Sequence, residues 1–485
     1  MFTLETTDFP TDAGPAPIPG LGLNIVRYNA GACGWNQIDN VSMVTLANRK
    51  PSREMEGFWM DNASDDPSSS SWDWAVDANQ RKMLLMARDR GSDIFELFSN
   101  SPMWWMLRNR NPSGGAGFGE ENLLPGHEAL HAKYLATVAE YAENNWNITF
   151  RSISPFNEPS LLAWAEDFEY NTQEGCNFNA SSQTAVIKGL RQELQERGLG
   201  TAIHASDENT IDQAFESWTA VPDRYRILVD GVNVHGYRDE QGAGADRASA
   251  LYKDAYRHYG KSLWLSEYGG DDTDGLTTAR HLLSDLDRLR PSAWVYWQVL
   301  DQGGWGLIRA DIDNRTVEGV SPKHFVLAQF TRHIRPGMIM LDGGGTETAA
   351  AYDEEGKKLV IVALNGKPTP RTLRLDITGF HFGPGEAFDA MDMEHSVDIW
   401  TTNNAERYQR ASLHMRDMKL VVPMSENEVV TMEVKGLYLD ETIRAQEEYR
   451  VSSWAPKRVL DPEMDEVWPW WYNNIPMGTP EDSPT

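Results

Sequence analysis

A chain of 485 residues, 40% hydrophobic and 24% charged, is too long for one ordinary domain and too apolar for a disordered polymer. Its formal net charge of −28 argues against nucleic acid and anionic membrane as partners and favours a neutral or cationic one. No apolar run is long enough to cross a bilayer, so no spanning helix is expected.

Met1 to Pro10 lacks the basic start and apolar stretch of a signal peptide. Five N-x-S/T sequons, at Asn40, Asn62, Asn147, Asn179 and Asn314, together with the acidic balance, nevertheless point to a secreted protein whose leader is missing from this sequence. Cys33 and Cys176 are too few for a metal framework or a disulfide scaffold; they read either as one bridge or as two buried thiols. The 18 tryptophans have two readings, core filling and stacking on sugar rings, and the Trp104–Trp105 pair favours the second.

In chain order, seven β-rich runs alternate with helical patterns: LNIVRYNAG from Leu23, DIFELFSNSP from Asp93, ITFRSISPFNEP from Ile148, TAIHASDEN from Thr201, GVNVHGY from Gly231, SLWLSEYGG from Ser262 and AWVYWQVL from Ala293. Between them, helical spacing marks Leu130-Tyr134-Val138, Val186-Leu190-Leu194 and Leu282-Leu286-Leu289, with Gly91, Gly198 and Gly260 as stops. Such alternation predicts an α/β fold of parallel strands joined by helical crossovers, a (β/α)8 TIM barrel. Only seven strands are visible, because Pro10 to Gly20 reads as coil, so the first strand is expected to be missing.

The pattern changes at Pro336-Gly337, where KLVIVALN, TLRLDITGF, LVVPM and VVTMEV alternate with turn signals and predict an antiparallel β-sandwich. The expected division is a catalytic barrel over 1–335, a sandwich over 336–455 and an irregular extension over 456–485.

Barrel chemistry sits at the carboxyl ends of strands. Arg27, Asn157-Glu158, Asp207-Glu208, His235, Tyr237, Glu267 and Trp297 all fall there. Glu158 and Glu267 each close a strongly apolar run, and a carboxylate on a strand tip is costly to bury unless it works or is paired. Two facing carboxyl groups, one protonated and one ionised, are what hydrolysis of a glycosidic bond needs. Arg27 is expected to lie beside Glu267 and lower its pKa, while the neighbouring negative charge raises that of Glu158. Asp207-Glu208 either bind sugar hydroxyls or cap the following helix. No His/Asp cluster with metal-ligand spacing and no phosphate-binding glycine loop occurs, so neither metal nor cofactor is expected.

Six stretches in order carry a family resemblance: LGLNIVRYNAG (Leu21 to Gly31), SNSPMWWM (Ser99 to Met106), SPFNEP (Ser154 to Pro159), NVHGY (Asn233 to Tyr237), LSEYGG (Leu265 to Gly270) and VYWQ (Val295 to Gln298). Over most of its length the chain resembles glycoside hydrolase family 30, a retaining family with a barrel and a carboxyl-terminal β-sandwich. The resemblance implies Glu158 as acid/base on the fourth strand, Glu267 as nucleophile on the seventh, and Asn157 as partner of the 2-hydroxyl. It implies Arg27, Trp104, Tyr237 and Trp297 around the attacked sugar, with His235 beside them as a hydrogen-bonded support rather than a catalyst.

Within the family, RYNAGACGWN (Arg27 to Asn36) and WQVLDQGGWGLI (Trp297 to Ile308) are most similar to the fungal endo-β-1,6-galactanases, which act on side chains of arabinogalactan. Arg309 is read either as a partner of glucuronate on such glycans or as an exposed structural residue. Other members act on β-1,6-glucan, glucuronoxylan or glucosylceramide, and the rival reading is a sugar-binding relative without catalysis. A monomer acting on polysaccharide outside the cell is the expectation.

Overall fold

Each of the seven apolar runs becomes a parallel strand: β1 (Ile25–Asn29), β2 (Ile94–Phe98), β3 (Ser152–Ser154), β4 (Ala202–Ile203), β5 (Gly231–Val234), β6 (Ser262–Tyr268) and β7 (Ala293–Tyr296). The computed structural model describes residues 1–10, 16–45, 50, 53–166, 168, 171–237, 243–383, 395–405 and 407–440; the expected extension over 456–485 lies outside them. Successive strands pair in parallel from β1 to β4 and from β5 to β7. Bridges from His204 to Gly231 and from Glu208 to Val234 join the two groups. Among the described residues β1 pairs only with β2 and β7 only with β6, so no ladder closes the ring. Within the stretch expected to be coil, Ala16–Pro19 instead pairs antiparallel with Thr6–Phe9.

Helices occupy the crossovers: α1 (Ala78–Arg88), α2 (Glu128–Trp146), α3 (Ala180–Glu196), α4 (Ile211–Ala220), α5 (Ala243–Leu251), α6 (Leu276–Arg288) and α7 (Pro322–Thr331). Local chemistry sets their ends. Asn179 caps α3 by accepting from the amides of Ser181 and Ser182, and Thr210 caps α4 by accepting from that of Gln213. Gly198 and Gly260, at φ 68° and 67°, take the left-handed turn beyond a helix that other residues resist.

The second unit is a six-stranded antiparallel sheet in the order β8 (Ile339–Leu341), β9 (Thr348–Asp353), β10 (Lys358–Asn365), β16 (Glu428–Lys435), β13 (His395–Thr402), β14 (Gln409–Met415), where β11 (Arg371–Asp376), β12 (Phe380–Phe382), β15 (Lys419–Met424) and β17 (Leu437–Leu439) form the pairs β11–β15 and β12–β17. The continuous apolar run KLVIVALN has a simple cause: β10 is buried on both faces. Leu359, Ile361 and Ala363 join a core with Leu420, Val422, Met424 and Leu437 of the strand pairs. Val360, Val362 and Leu364 point the other way, on to Leu282 and Leu283 of α6 and Val326, Leu327 and Phe330 of α7. Alternation with period two distributes one strand between two cores. Helix α7, buried from Lys323 to Phe330, is thus the joint between the parallel-strand unit and the sheet.

Tryptophan is used here mainly as filler. Trp59, Trp72, Trp74 and Tyr141 form a near-parallel stack, with centroids 4.9, 5.3 and 3.6 Å apart, that stiffens the loop between β1 and α1. Cys33 and Cys176 are both buried thiols, the second of the two readings, and Cys33 donates to the buried Glu174 carboxylate.

Phe330→Ala should lower stability by about 3–5 kcal/mol, as for other large-to-small core changes. Because Phe330 belongs to the shared core, chemical denaturation should show both units losing stability; loss confined to one unit would contradict a common joint.

Candidate active site

Residues in or just beyond six of the strands, β1 to β6, form one buried ionic cluster centred on Arg27, from β1. Its guanidinium donates Nε to Glu96 at 2.9 Å and Nη1 to Glu267 at 3.1 Å, and Nη2 pairs with Asp207. It also lies over the Phe98 ring, 4.2 Å from the centroid. His235, which follows β5, places Nδ1 3.0 Å from Glu158 and 3.5 Å from Glu267, and Nε2 3.2 Å from Asp207. Four carboxylates therefore surround two cations, and the Glu96 and Asp207 side chains have no solvent contact.

Such burial dictates the protonation pattern. Desolvation opposes the charge on Asp207, but Arg27 and His235 outweigh it and hold the carboxyl well below the usual range. Burial alone would push His235 down; the charges of Glu267 and Asp207 and its hydrogen bonds carry it well above 6.5, so it is an imidazolium. For Glu267 the balance differs from the expectation of a lowered pKa. Burial, helped by the charges of Glu158 and Asp207, raises it against the lowering by His235 and Arg27, and the net direction is upward. Contact with Arg27 was foreseeable; the depth of the site, which decides the sign, was not.

With Glu96 and Asp207 neutralised by Arg27 and His235, the cluster takes one further anion more readily than two. Hydrogen bonding separates the two remaining carboxyls. Glu267 accepts from Arg27 on Oε2 and from the Tyr237 hydroxyl on Oε1, at 3.1 and 2.9 Å. Glu158 accepts on Oε1 from Asn209, at 2.6 Å, and from His235, while its Oε2 has no partner among the described residues. One ligand atom each of Glu158, His235 and Glu267 lie within 4.8 Å of one another. A retaining glycosidase needs its two carboxyl groups about 5–5.5 Å apart, and an inverting one needs room for a water between them.

The structure brings together Arg27, Glu158, His235, Tyr237 and Glu267 as ligands of one another. Trp297, half-buried, lines a cavity of about 1590 Å³ with Arg27 and Glu267. That cavity continues past the unpaired edges of β1 and β7 as far as Phe330 and Ile377. Asn157 is buried, and its Oδ1 has no partner among the described residues. Trp104 departs from the expectation of a stacking platform: it is 0% exposed, and Trp105 is 6% exposed. A single turn of 3-10 helix, Trp104–Met106, tucks both indoles into the core. Trp104 still leaves its Nε1–H without a partner, and a buried donor in that state costs about 1–3 kcal/mol until something accepts from it.

Asp207 and Glu208 neither meet solvent nor cap a helix. Asp207 serves the cluster, Glu208 accepts from Ser160 and Ser217, and Thr210 is the cap of α4. Arg309 is exposed. Glu96 and Asn209 were not singled out from the sequence. Glu96 carried one signal, a lone acid inside the apolar run IFELF; it also accepts from Ser152 and Asn233 and pairs with His204.

A buried pair of carboxyl groups close together beyond parallel strands is the arrangement that glycosidic hydrolysis needs, and the comparisons place the chain in that class of O-glycosyl hydrolases. Residues 4–225 match the model of O-Glycosyl hydrolase family 30. An endo-beta-1,6-galactanase of Hypocrea rufa is 46% identical over 425 residues, covering 87% of this chain and 85% of that protein. The chain belongs to glycoside hydrolase family 30. The fold is shared with a conserved exported protein from Bacteroides fragilis, with a TM-score of 0.66 and 19% identity over 90% of this chain and 91% of that one. It is shared too with the catalytic domain of the GH30 xylanase C from Talaromyces cellulolyticus, with a TM-score of 0.61 and 18% identity over 86% and 88%.

Because the folded pKa of His235 lies above its ordinary value, the stability it contributes is complete below pH 6.5 and lost as pH rises through the folded pKa. The urea midpoint of the protein should therefore fall as the buffer is taken from neutral into the alkaline range. His235→Gln should flatten that dependence; a variant whose midpoint falls as steeply would remove His235 as its source.

Proposed function

We propose that this protein is a retaining endo-β-1,6-galactanase in which Glu158 is the acid/base and Glu267 the nucleophile. The observation that carries the reading is the proximity of the two carboxyl groups, with oxygens within 4.8 Å, combined with their unequal hydrogen bonding. Both Glu267 oxygens accept from donors, which favours the anion; Glu158 keeps Oε2 unengaged, where a proton can sit. Kinship with the Hypocrea rufa enzyme supports the sugar and the linkage.

In the first step Glu267 attacks the anomeric carbon while Glu158 gives its proton to the departing glycosidic oxygen, leaving a galactosyl ester on Glu267. In the second, Glu158, now a carboxylate, takes a proton from water as the water attacks the same carbon, and the ester bond breaks. Arg27 and Tyr237 hold Glu267 at its angle of attack, and His235 keeps positive charge beside whichever carboxylate is ionised. Asn157, beside Glu158, is assigned to the 2-hydroxyl of the sugar, and Trp297, which lines the cavity, offers its ring face.

The same proposal takes the seven parallel strands as seven of an eight-stranded barrel over 1–335, and residues 336–455 as an antiparallel sandwich on it. The asparagines of all five sequons are exposed, which supports a secreted glycoprotein, and the protein is expected to work as a monomer. No helix of the described residues is long and apolar enough to cross a membrane.

Incubation with β-1,6-galactan, β-1,6-glucan and glucuronoxylan should yield short galacto-oligosaccharides from the first alone. Glu267→Gln should reduce that turnover to background while keeping the thermal transition, and Glu158→Gln should lower it by roughly 10²–10⁴-fold. Undiminished turnover by Glu267→Gln would remove Glu267 as nucleophile, and digestion of another polysaccharide in place of galactan would overturn the substrate.

A further inference from the structure

Beside the segment that carries Glu158 lies a buried carboxylate that the mechanism does not use. Glu208 is 0% exposed, and burial pushes it up to about 7. Its carboxylate makes no hydrogen bond to the side chains of the Arg27 cluster. Its partners lie two residues beyond Glu158: Oε2 accepts from the Ser160 amide at 3.1 Å and Oε1 from the Ser160 hydroxyl at 2.8 Å. The Ser217 hydroxyl, from α4, holds Oε1 from the far side.

Its neighbours on either side grip the same short segment. The Asp207 carbonyl accepts from the Glu158 amide at 2.8 Å, and the Asn209 amide group donates to Glu158 Oε1 at 2.6 Å. The three-residue run is itself fixed to β5 and its extension, because the Asp207 amide donates to Asn233, that of His235 to Glu208, and that of Tyr237 to Asn209. What it grips is strained. Glu158 has φ 50°, in the left-handed region that a side chain resists, and such a conformation persists only where its surroundings over-determine it. The Glu158 carbonyl is tied as well, accepting from the Leu161 amide and from Trp164 Nε1, both at 2.9 Å.

We propose that Glu208 is a positioning residue for the proton donor: by clamping Ser160 it locks the left-handed turn at 158–160 and so aims the Glu158 carboxyl at the leaving oxygen. Asp207 and Asn209 hold the near end of the turn and Glu208 the far end. The proposal rests on the reading of Glu158 as acid/base. A misaimed acid has a signature that general loosening lacks, because a leaving group that departs as a stable anion needs no proton.

The test compares two substrates, β-1,6-galactan and a dinitrophenyl β-1,6-galactobioside, in purified full-length protein. In Glu208→Leu, kcat on galactan should fall on the order of 10²-fold, the cost of a small misplacement. The activated glycoside should lose no more than about threefold. Glu208→Gln should recover most of the galactan rate, since its carbonyl can accept from the Ser160 amide while the hydroxyls turn to accept from its amide. Equal losses on both substrates, or no loss on galactan, would overturn the clamp. Should Glu208→Leu fail to fold, Ser160→Ala decides: the same split at smaller size upholds the clamp, and an unchanged ratio of the two rates overturns it. Failure of the wild type on galactan would instead refute the substrate reading, and the ratio is then read on aryl and polymeric forms of the sugar that it does cleave.

Discussion

Everything at the working end of this protein depends on keeping Arg27 charged where almost no water reaches it. A guanidinium at that depth is tolerable only with compensating anions, and Glu96, Asp207 and Glu267 supply them from three different strands. The ion cluster thereby fixes how β1, β2 and β6 and the tip of β4 sit relative to one another. His235 repeats the logic beside it, its two nitrogens bridging Asp207 to the pair Glu158 and Glu267. Removing either cation would strand carboxylates in a medium that cannot hold them.

Catalytic asymmetry arises from that symmetric-looking arrangement without any difference in residue type. Both working groups are glutamates, both are nearly buried, and both face His235. They differ in donors: Glu267 receives Arg27 and Tyr237 on separate oxygens, and Glu158 receives Asn209 and His235 on one. Under the proposed assignment, the one extra anion that the cluster takes readily falls on Glu267, whose two oxygens both have donors. The backbone contributes too, since Glu158 and Asp207 both occupy left-handed conformations, at φ 50° and 63°, and are hydrogen-bonded to each other through the main chain.

Much of this was legible in the sequence, for physical reasons that can be named. The seven strands were visible because parallel strands are buried on both faces and so read as short unbroken apolar runs. Glu158 and Glu267 stood out because each ends such a run, where a carboxylate is out of place unless paired or working. The double-sided burial of β10 was written in KLVIVALN. Other features were not legible. Glu96 points inwards from the middle of β2, and which way a mid-strand residue faces depends on the curvature of the whole sheet. Trp104 misled because an indole has the same apolar bulk whether it fills a core or supports a sugar; the 3-10 turn that buries it has no sequence signature. The sign of the Glu267 shift escaped because it is a contest between burial and Arg27, and burial depth is a property of the assembled site.

The central claim is that Glu267 forms a covalent bond to the sugar. A 2-fluoro-β-galactobiosyl fluoride, whose ester is slow to hydrolyse, should leave the intact protein heavier by one fluoroglycosyl unit, and peptide mapping should place that mass on Glu267. A label on another residue would contradict the account. So would first-formed galacto-oligosaccharides that carry the inverted anomeric configuration.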